Sequence, residues 1–303
     1  MNYLVSKLQW KSSPVEVYIY LTNLNTGDIE KRKLEVGDTF NIRVGKGKFC
    51  VGAAMGEWVS CMHNTGQDKP NMVFTGNQCS TCNRSDMYNC RRTCIGIICL
   101  PSSPEVKELC QPAKTTVYLT DVGGVFKVGV SINHIRRWVE QGSDYGYQVA
   151  ELPGLEARAV EQLISKDLGV RQQVGSKRKF EFIVPRGDSE FRNFITEVLP
   201  SVEAIYNEVV GKSKIKGIFF RDGKIVDLSQ YYGRVKEIDR LQEFEIVEGA
   251  EFGGEIIGVK GAYLIVKSGI YYYTVSMRKL AGYEIDFIDQ AQNKGQSSLD
   301  EWF

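Results

Sequence analysis

Apolar and polar residues alternate most clearly towards the two ends of the chain. Residues 15–21 (Val-Glu-Val-Tyr-Ile-Tyr-Leu) alternate in part, as expected of a strand with one buried face. Residues 258–275 are rich in β-branched and aromatic side chains, which favour strands. The pattern therefore predicts a β-rich region over residues 1–60 and a second β-rich domain over residues 211–289.

A short hairpin is predicted in the middle of the chain. Residues 117–119 (Val-Tyr-Leu) fit a buried strand, and residues 126–131 (Phe-Lys-Val-Gly-Val-Ser) fit its antiparallel partner. Gly123 and Gly124 lie between them and supply the backbone freedom that a tight turn requires.

Helical periodicity follows the hairpin. Residues 136–138 fit a short helix, and residues 155–168 fit a longer one that ends before Gly169. The longer helix has apolar residues at the spacing of a buried face: Val160, Leu163, Ile164 and Leu168. A third helical pattern covers residues 188–210. Because Pro200 interrupts it, we expect two helices or one kinked helix there.

Composition and charge narrow the class of protein. The chain has 303 residues, enough for two or three domains, and a net charge of +1. A protein with so little positive charge needs a local basic groove or a tethering partner to hold DNA. The longest apolar run, residues 94–100, is too short to cross a bilayer, and Lys7 and Lys11 interrupt any export signal. We therefore expect a cytoplasmic protein that does not enter a membrane.

The cysteines indicate a metal-binding module over residues 61–112. The chain has eight cysteines, and in a cytoplasmic protein such a number favours metal over disulfides. Thiolates in short loops suit tetrahedral, structural zinc, with one ion or two. Cys50 lies in a strand-like Phe-Cys-Val context and is interpreted as a packed thiol, and His63 is the one nearby imidazole. Buried free thiols remain the alternative. The candidate zinc ligands are Cys61, Cys79, Cys82, Cys90, Cys94, Cys99 and Cys110.

The order of hairpin, short helix and long helix, with Gly129 in the second strand, resembles the core of the GIY-YIG nuclease superfamily. Residues 113–175 would then be a catalytic core and residues 176–210 a helical extension. The fold implied is α+β, with the core flanked by the amino-terminal β and zinc module and the carboxy-terminal β-rich domain. Residues from about 40 to 288 also resemble a largely archaeal family of unknown function that is grouped with these nucleases.

The resemblance implies an active site for phosphodiester cleavage. The tyrosine of the first strand, near the attacking water, corresponds to Tyr118, and the phosphate-holding arginine corresponds to Arg137. The glutamate that binds Mg²⁺ or Mn²⁺ corresponds to Glu161. We favour it over Glu156, since a carboxylate at the start of a helix often only complements the helix dipole. Gly129 is expected to leave room for the phosphate.

Two residues depart from the family's pattern. Lys127 replaces the tyrosine that normally precedes the glycine of the second strand, although its charge can still serve a phosphate. Gln141 replaces the histidine or tyrosine one turn after the arginine. His134 is an alternative proton carrier, and Arg136 could exchange roles with Arg137.

The end of the chain, residues 290–303, resembles the clamp-binding peptides of replication and repair proteins. Their partner is the sliding clamp, proliferating cell nuclear antigen. One helical turn would place an aliphatic and two aromatic side chains on one face, as anchors for an apolar groove. The alternative is that this segment folds back onto the β-rich domain. The anchoring residues are Gln296, Leu299, Trp302 and Phe303.

Together these features predict a metal-dependent DNA endonuclease that selects structure or lesions and is recruited by the sliding clamp in repair or replication. The alternative is a non-catalytic, zinc-containing adaptor that binds nucleic acid and docks on the clamp. RNA in place of DNA is a third possibility, which only the terminal peptide disfavours.

Overall fold

A computed structural model describes most of the chain. The described residues form two compact units: those within 1–87 and 232–303, and those within 88–231. None of the described helices combines the length and the apolar character needed to span a membrane. The structure describes residues 3–55, 57–64, 72–73, 76–87, 90, 100–101 and 103–293.

Sixteen strands and seven α-helices are found among the described residues. The strands are β1 (Tyr3–Trp10), β2 (Val17–Asn23), β3 (Ile29–Lys33), β4 (Thr39–Lys48), β5 (Ala53–Met55), β6 (Glu57–Val59), β7 (Lys114–Asp121), β8 (Phe126–Ser131), β9 (Tyr145–Pro153), β10 (Ile218–Phe219), β11 (Val226–Asp227), β12 (Leu241–Glu243), β13 (Glu251–Lys260), β14 (Tyr263–Ser268), β15 (Tyr271–Ser276) and β16 (Tyr283–Phe287). The helices are α1 (Ser80–Ser85), α2 (Pro104–Cys110), α3 (His134–Gln141), α4 (Gly154–Leu168), α5 (Ser176–Glu181), α6 (Ser189–Ser213) and α7 (Met277–Leu280).

The first unit is built on one nine-stranded sheet that combines both ends of the chain. Its strand order is β12-β15-β14-β13-β4-β16-β1-β2-β3. Strand β16 lies between β1 and β4 and pairs antiparallel with both: Ile285 is opposite Tyr3 on one side and Val44 on the other. The two β-rich regions, predicted as separate domains, are joined in one sheet in the structure. The local alternation of a strand shows that one face is buried but does not identify its partner.

The second unit has a smaller sheet with helices packed on it. The strand order is β10-β9-β7-β8, and β11 also pairs with β9. Strands β7 and β8 form the predicted hairpin, and β7 pairs with β9 along its whole length, from Lys114 opposite Pro153 to Asp121 opposite Tyr145. Helices α4 and α6 cover this sheet. Their shared core includes Val117, Leu119, Val149, Val160, Ile164, Phe191 and Val202.

Strand β9 was not predicted. Most of its side chains are buried, so the alternation that marks a half-buried strand is missing. In the third helical region, one helix, α6, runs through Pro200. The mixed α+β architecture agrees with the predicted fold class.

Candidate active site and metal centre

The β7–β8 hairpin places Tyr118 directly across from Gly129. Tyr118 is only 1% exposed. A Cβ atom on Gly129 would lie 2.4 Å from the phenol oxygen of Tyr118 and 2.5 Å from its Cζ. Gly129 was expected to leave room for a phosphate. In the structure that space is occupied by the tyrosine ring, so the glycine is needed to seat Tyr118.

Helix α3 is held against the same hairpin by Trp138. The indole ring meets the ring of Tyr118 edge-on, with centroids 5.8 Å apart and planes at 89°. The indole also packs on Gly146 of β9, where a Cβ atom would come within 2.6 Å of it. The side chain of Asn133 caps the start of α3, and Gly142, at φ 72°, ends it. The helix and its polar residues therefore have a fixed position beside the phenol.

The two residues that depart from the nuclease pattern are hydrogen-bonded to each other and to the tyrosine. Lys127 Nζ donates to Gln141 Oε1 at 2.8 Å. Gln141 Nε2 donates to the oxygen of Tyr118 at 2.9 Å. Lys127 is 7% exposed and Gln141 is 4% exposed. Lys127 and Gln141 therefore form one buried chain of hydrogen bonds that ends at the phenol of Tyr118, the candidate catalytic group.

Arg137 and Glu161 influence both ends of this chain. Burial raises the pKa of Tyr118 to about 12, while the Arg137 cation and the Gln141 hydrogen bond act to lower it and Glu161 acts to raise it. Burial lowers the pKa of Lys127 to about 8, with Arg137 acting in the same direction and Glu161 in the opposite one. Tyr118, Lys127, Arg137 and Glu161 thus share one electrostatic environment.

Glu161 lies in the middle of α4 and is partly buried. Burial raises the pKa of its carboxyl group, and the nearby cations Arg158, Lys127 and Arg137 offset this only in part. A partly buried carboxylate near a phenol oxygen suits Mg²⁺ or Mn²⁺, which bind through one or two carboxylates and keep positions for water and substrate phosphate. The residues present therefore fit such an ion. Glu156 lies in the first turn of α4, as expected of a carboxylate that complements the helix dipole.

The remaining polar residues of α3 take different positions. The side chain of Arg137 is about half exposed, at 48%, and its Nη1 lies 3.7 Å from Glu140. It can therefore meet an incoming phosphate. Arg136 Nε lies 3.3 Å from the same carboxylate. His134 shares a 3.1 Å hydrogen bond with Thr116 and packs on the indole of Trp138, which is a structural role.

Four thiols cluster in the first unit. The sulfur atoms of Cys50, Cys61, Cys79 and Cys82 all lie within 4.8 Å of one another. Cys79 is the N-cap of α1 and Cys82 lies in its first turn. The backbone N–H of Cys79 donates to the sulfur of Cys50 at 3.1 Å. Four thiolates around zinc at about 2.3 Å would have sulfur atoms about 3.8 Å apart, so the cluster is compatible with one structural zinc ion.

The ligand set differs from the predicted one at several positions. Cys50, interpreted from sequence as a packed thiol, is a member of the cluster because the chain turns directly after it. Gly52, at φ 92°, approaches Val59 so closely that a Cβ atom would meet its carbonyl oxygen at 2.0 Å. Two zinc sites would require eight ligands, and the candidate cysteines number seven. The missing eighth ligand was the one feature of the sequence that pointed to Cys50. Cys90 and Cys110 are described but do not join the cluster, and Cys94 and Cys99 lie outside the described residues.

The clamp-binding residues cannot be placed in the fold. Gln296, Leu299, Trp302 and Phe303 all lie outside the described residues. Docking on the sliding clamp therefore stays a prediction from sequence.

Comparison with known proteins identifies the family. Residues 37–285 match DUF2797, whose description is "Protein of unknown function". The chain belongs to DUF2797. The matched region runs from before β4 to within β16 and includes the thiol cluster and the polar site of the hairpin. Neither a curated protein nor a solved structure matches this DUF2797 chain significantly.

Proposed function

We propose that this DUF2797 protein is a metal-dependent DNA endonuclease of the GIY-YIG type. The observation that supports the proposal is that one guanidinium and one carboxylate influence both a buried phenol and a buried amine of the same hairpin. Arg137 of α3 and Glu161 of α4 both act on the pKa of Tyr118 in β7 and on that of Lys127 in β8. Lys127 and Arg137 act in turn on the pKa of Glu161. Phosphodiester cleavage needs an oriented nucleophile, positive charge for the phosphate and a ligand for a divalent cation.

Each side chain has a task that its surroundings permit. Arg137, which is half exposed, binds a non-bridging phosphate oxygen. Tyr118 is held rigidly by Gly129 and Trp138 and orients the attacking water through its hydroxyl group. Glu161 would hold the Mg²⁺ or Mn²⁺ ion, and such an ion would polarise the phosphate.

Basic residues beside the hairpin support nucleic acid as the substrate. Helix α5 carries Lys177, Arg178 and Lys179. Arg178 donates to the carbonyl of Gly123 at 3.0 Å, so this helix is attached to the β7–β8 turn. Lys127 is the second residue of β8 and follows the same turn. The basic side chains of α5 at this turn would compensate for the net charge of only +1.

The test compares two glutamates on the same helix. Full-length protein is incubated with labelled flapped, branched and damaged DNA in Mg²⁺ or Mn²⁺ under single-turnover conditions. Glu161→Gln should reduce the cleavage rate by about a hundredfold or more, because the metal's contribution to transition-state stabilisation is lost. Glu156→Gln is the matched control, and it should cleave at the wild-type rate.

Two results would overturn the proposal. One is the absence of wild-type cleavage across DNA and RNA substrates with metal and clamp present. The other is equal cleavage by wild type and by folded Glu161→Gln. DNA binding without cleavage, unchanged in Glu161→Gln, would instead support the adaptor function.

The terminal peptide supports recruitment by the sliding clamp as part of the same proposal. Tethering to a clamp raises the local DNA concentration to roughly millimolar, so a weak intrinsic affinity for DNA suffices. Calorimetry should detect binding of the full chain to the clamp and no binding after deletion of residues 296–303. Equal binding of the two proteins would place the docking surface elsewhere.

The thiol cluster supports structural zinc as the second metal of the protein. Cys50, Cys61, Cys79 and Cys82 supply four thiolates, which leaves no open position for substrate. The ion would stabilise the turns that join β4, β5, β6 and α1. Its role is therefore folding of the first unit and not catalysis.

A further inference from the structure

Gln141 has an unusual position for an amide side chain. It is the last residue of α3, is 4% exposed, and bridges a lysine on β8 to a tyrosine on β7. Its two polar atoms are chemically different: the oxygen only accepts hydrogen bonds and the nitrogen only donates them. The orientation of the amide therefore decides whether the phenol of Tyr118 accepts or donates the hydrogen bond at this contact.

A charged Lys127 fixes that orientation. An ammonium group has three donors and no acceptor, so only the amide oxygen can face it. The amide nitrogen must then face Tyr118 and donate to the phenol oxygen, as the 2.9 Å contact shows. The hydroxyl proton of Tyr118 is consequently directed away from Gln141. It is then available for a hydrogen bond to water or to a substrate phosphate.

A neutral Lys127 removes the constraint. Its nitrogen then has a lone pair and can accept a hydrogen bond. The amide of Gln141 can rotate by half a turn, so that its nitrogen donates to Lys127 and its oxygen accepts from Tyr118. Both hydrogen bonds are kept, and the phenol proton is now held inside the chain of three residues.

We infer that Gln141 is a positioning residue that couples the charge on Lys127 to the direction in which Tyr118 donates its hydroxyl proton. While Lys127 is charged, the phenol donates outward to the site. When Lys127 is neutral, the amide of Gln141 is free to turn over, and the phenol can donate to Gln141 in place of the site. The catalytic consequence rests on the proposed function, whereas the coupling itself depends only on the geometry of the three side chains.

The charged groups around Lys127 come from three elements. Arg137 faces it from α3 and Glu161 from α4, with opposite effects on its charge. The backbone of Lys127 also forms a parallel bridge with that of Arg171. Arg171 follows shortly after Gly169, the residue that caps the end of α4. Burial outweighs the carboxylate and brings the pKa of Lys127 to about 8. The change of direction therefore falls close to neutral pH, far below the pKa of Tyr118 itself, about 12.

The test uses NMR of the full-length protein with ¹³C at tyrosine Cζ and lysine Cε. Tyr118→Phe and Lys127→Met identify the two signals by their loss. In wild type, the Tyr118 signal should show an inflection at the same pH at which Lys127 titrates. In Gln141→Leu, Lys127 should still titrate, but the Tyr118 inflection should be lost. In Gln141→Glu, whose carboxylate only accepts, Tyr118 should donate inward at every pH and its inflection should also be lost.

The wild-type spectrum alone can overturn the inference. A Tyr118 signal that does not respond at the pH where Lys127 titrates would do so, and so would an unchanged inflection in folded Gln141→Leu. If Gln141→Leu does not fold, the wild-type titration and Gln141→Glu still test the inference. Because no substrate is needed, coupling in a protein that does not cleave DNA supports the relay and contradicts the nuclease. Cleavage of DNA by a protein that shows no coupling supports the nuclease and contradicts the relay.

Discussion

At the scale of single residues, two glycines decide where the aromatic rings of the second unit lie. Gly129 admits the ring of Tyr118 and Gly146 admits that of Trp138, at distances that no Cβ atom would tolerate. The phenol and the indole then contact each other, and this contact connects the hairpin to α3. The position of the candidate catalytic oxygen therefore depends on residues that have no reactive group of their own.

Gly129→Ala should displace Tyr118 and destabilise the hairpin by about 1–3 kcal/mol, because the added methyl group overpacks a buried site. Hydrogen exchange of the β7 and β8 amides measures this local loss. Gly187→Ala is the control: nothing lies within 4 Å of its added Cβ, and a change within about 0.5 kcal/mol is expected. Equal protection in wild type and Gly129→Ala would contradict the packing described here.

Lys127 makes stability depend on pH within a defined window. Burial lowers its pKa from 10.5 to about 8, so between these values the unfolded chain binds a proton that the folded protein has released. The free energy of unfolding contributed by Lys127 should therefore increase as the pH rises through this window, by about 3 kcal/mol for a shift of this size.

The measurement is urea unfolding of wild type and Lys127→Met across the same window. Methionine has a similar length and no titrating group, so wild type should become more stable relative to the variant as the pH rises. Two parallel curves would show that Lys127 titrates at its ordinary pKa in the folded protein.

At the scale of elements, the structure adds what periodicity along the chain does not contain. The β7–β8 hairpin and α4 were predicted because their turn glycines and apolar spacing are local signals. Strand β9 was missed because its side chains are buried on both faces. The convergence of Tyr118, Arg137 and Glu161 was expected only through a family resemblance. The hydrogen bonds from Lys127 to Gln141 to Tyr118 join three elements, and no local pattern indicates them.

The thiol cluster gives a prediction at this scale. Cys50→Ser should remove about one zinc ion per chain and loosen the turns between β4 and α1, because a structural site needs all four thiolates. Cys110→Ser should retain the wild-type zinc content, since Cys110 is not part of the cluster. Elemental analysis of the purified proteins measures both. Full zinc content in Cys50→Ser would return Cys50 to the role of a packed thiol.

At the scale of the whole molecule, chain order and spatial order differ. The first unit takes strands from residues 3–48 and 241–287, and the second unit occupies the chain between them. The two β-rich regions are far apart in the sequence, and for that reason the strands of the nine-stranded sheet were predicted in two domains. A sheet of this kind is specified by long-range pairing, which leaves no mark on either segment alone.

Fragments should reflect this arrangement. Residues 88–231 contain a complete core of their own and should fold in isolation, with dispersed NMR amide signals and cooperative urea unfolding. Residues 1–87 should not fold alone, because β16 is missing from its place between β1 and β4. A folded 1–87 fragment would show that these strands can pair without β16.

Anomalous diffraction from crystals soaked in Mn²⁺ tests most directly whether Glu161 binds a divalent cation. We expect a peak at coordination distance, about 2.0–2.3 Å, from the Glu161 carboxylate. The peak should be lost in Glu161→Gln and kept in Glu156→Gln. A Mn²⁺ ion bound elsewhere, with none at Glu161, would contradict the assignment of this site as a metal-dependent phosphodiesterase centre.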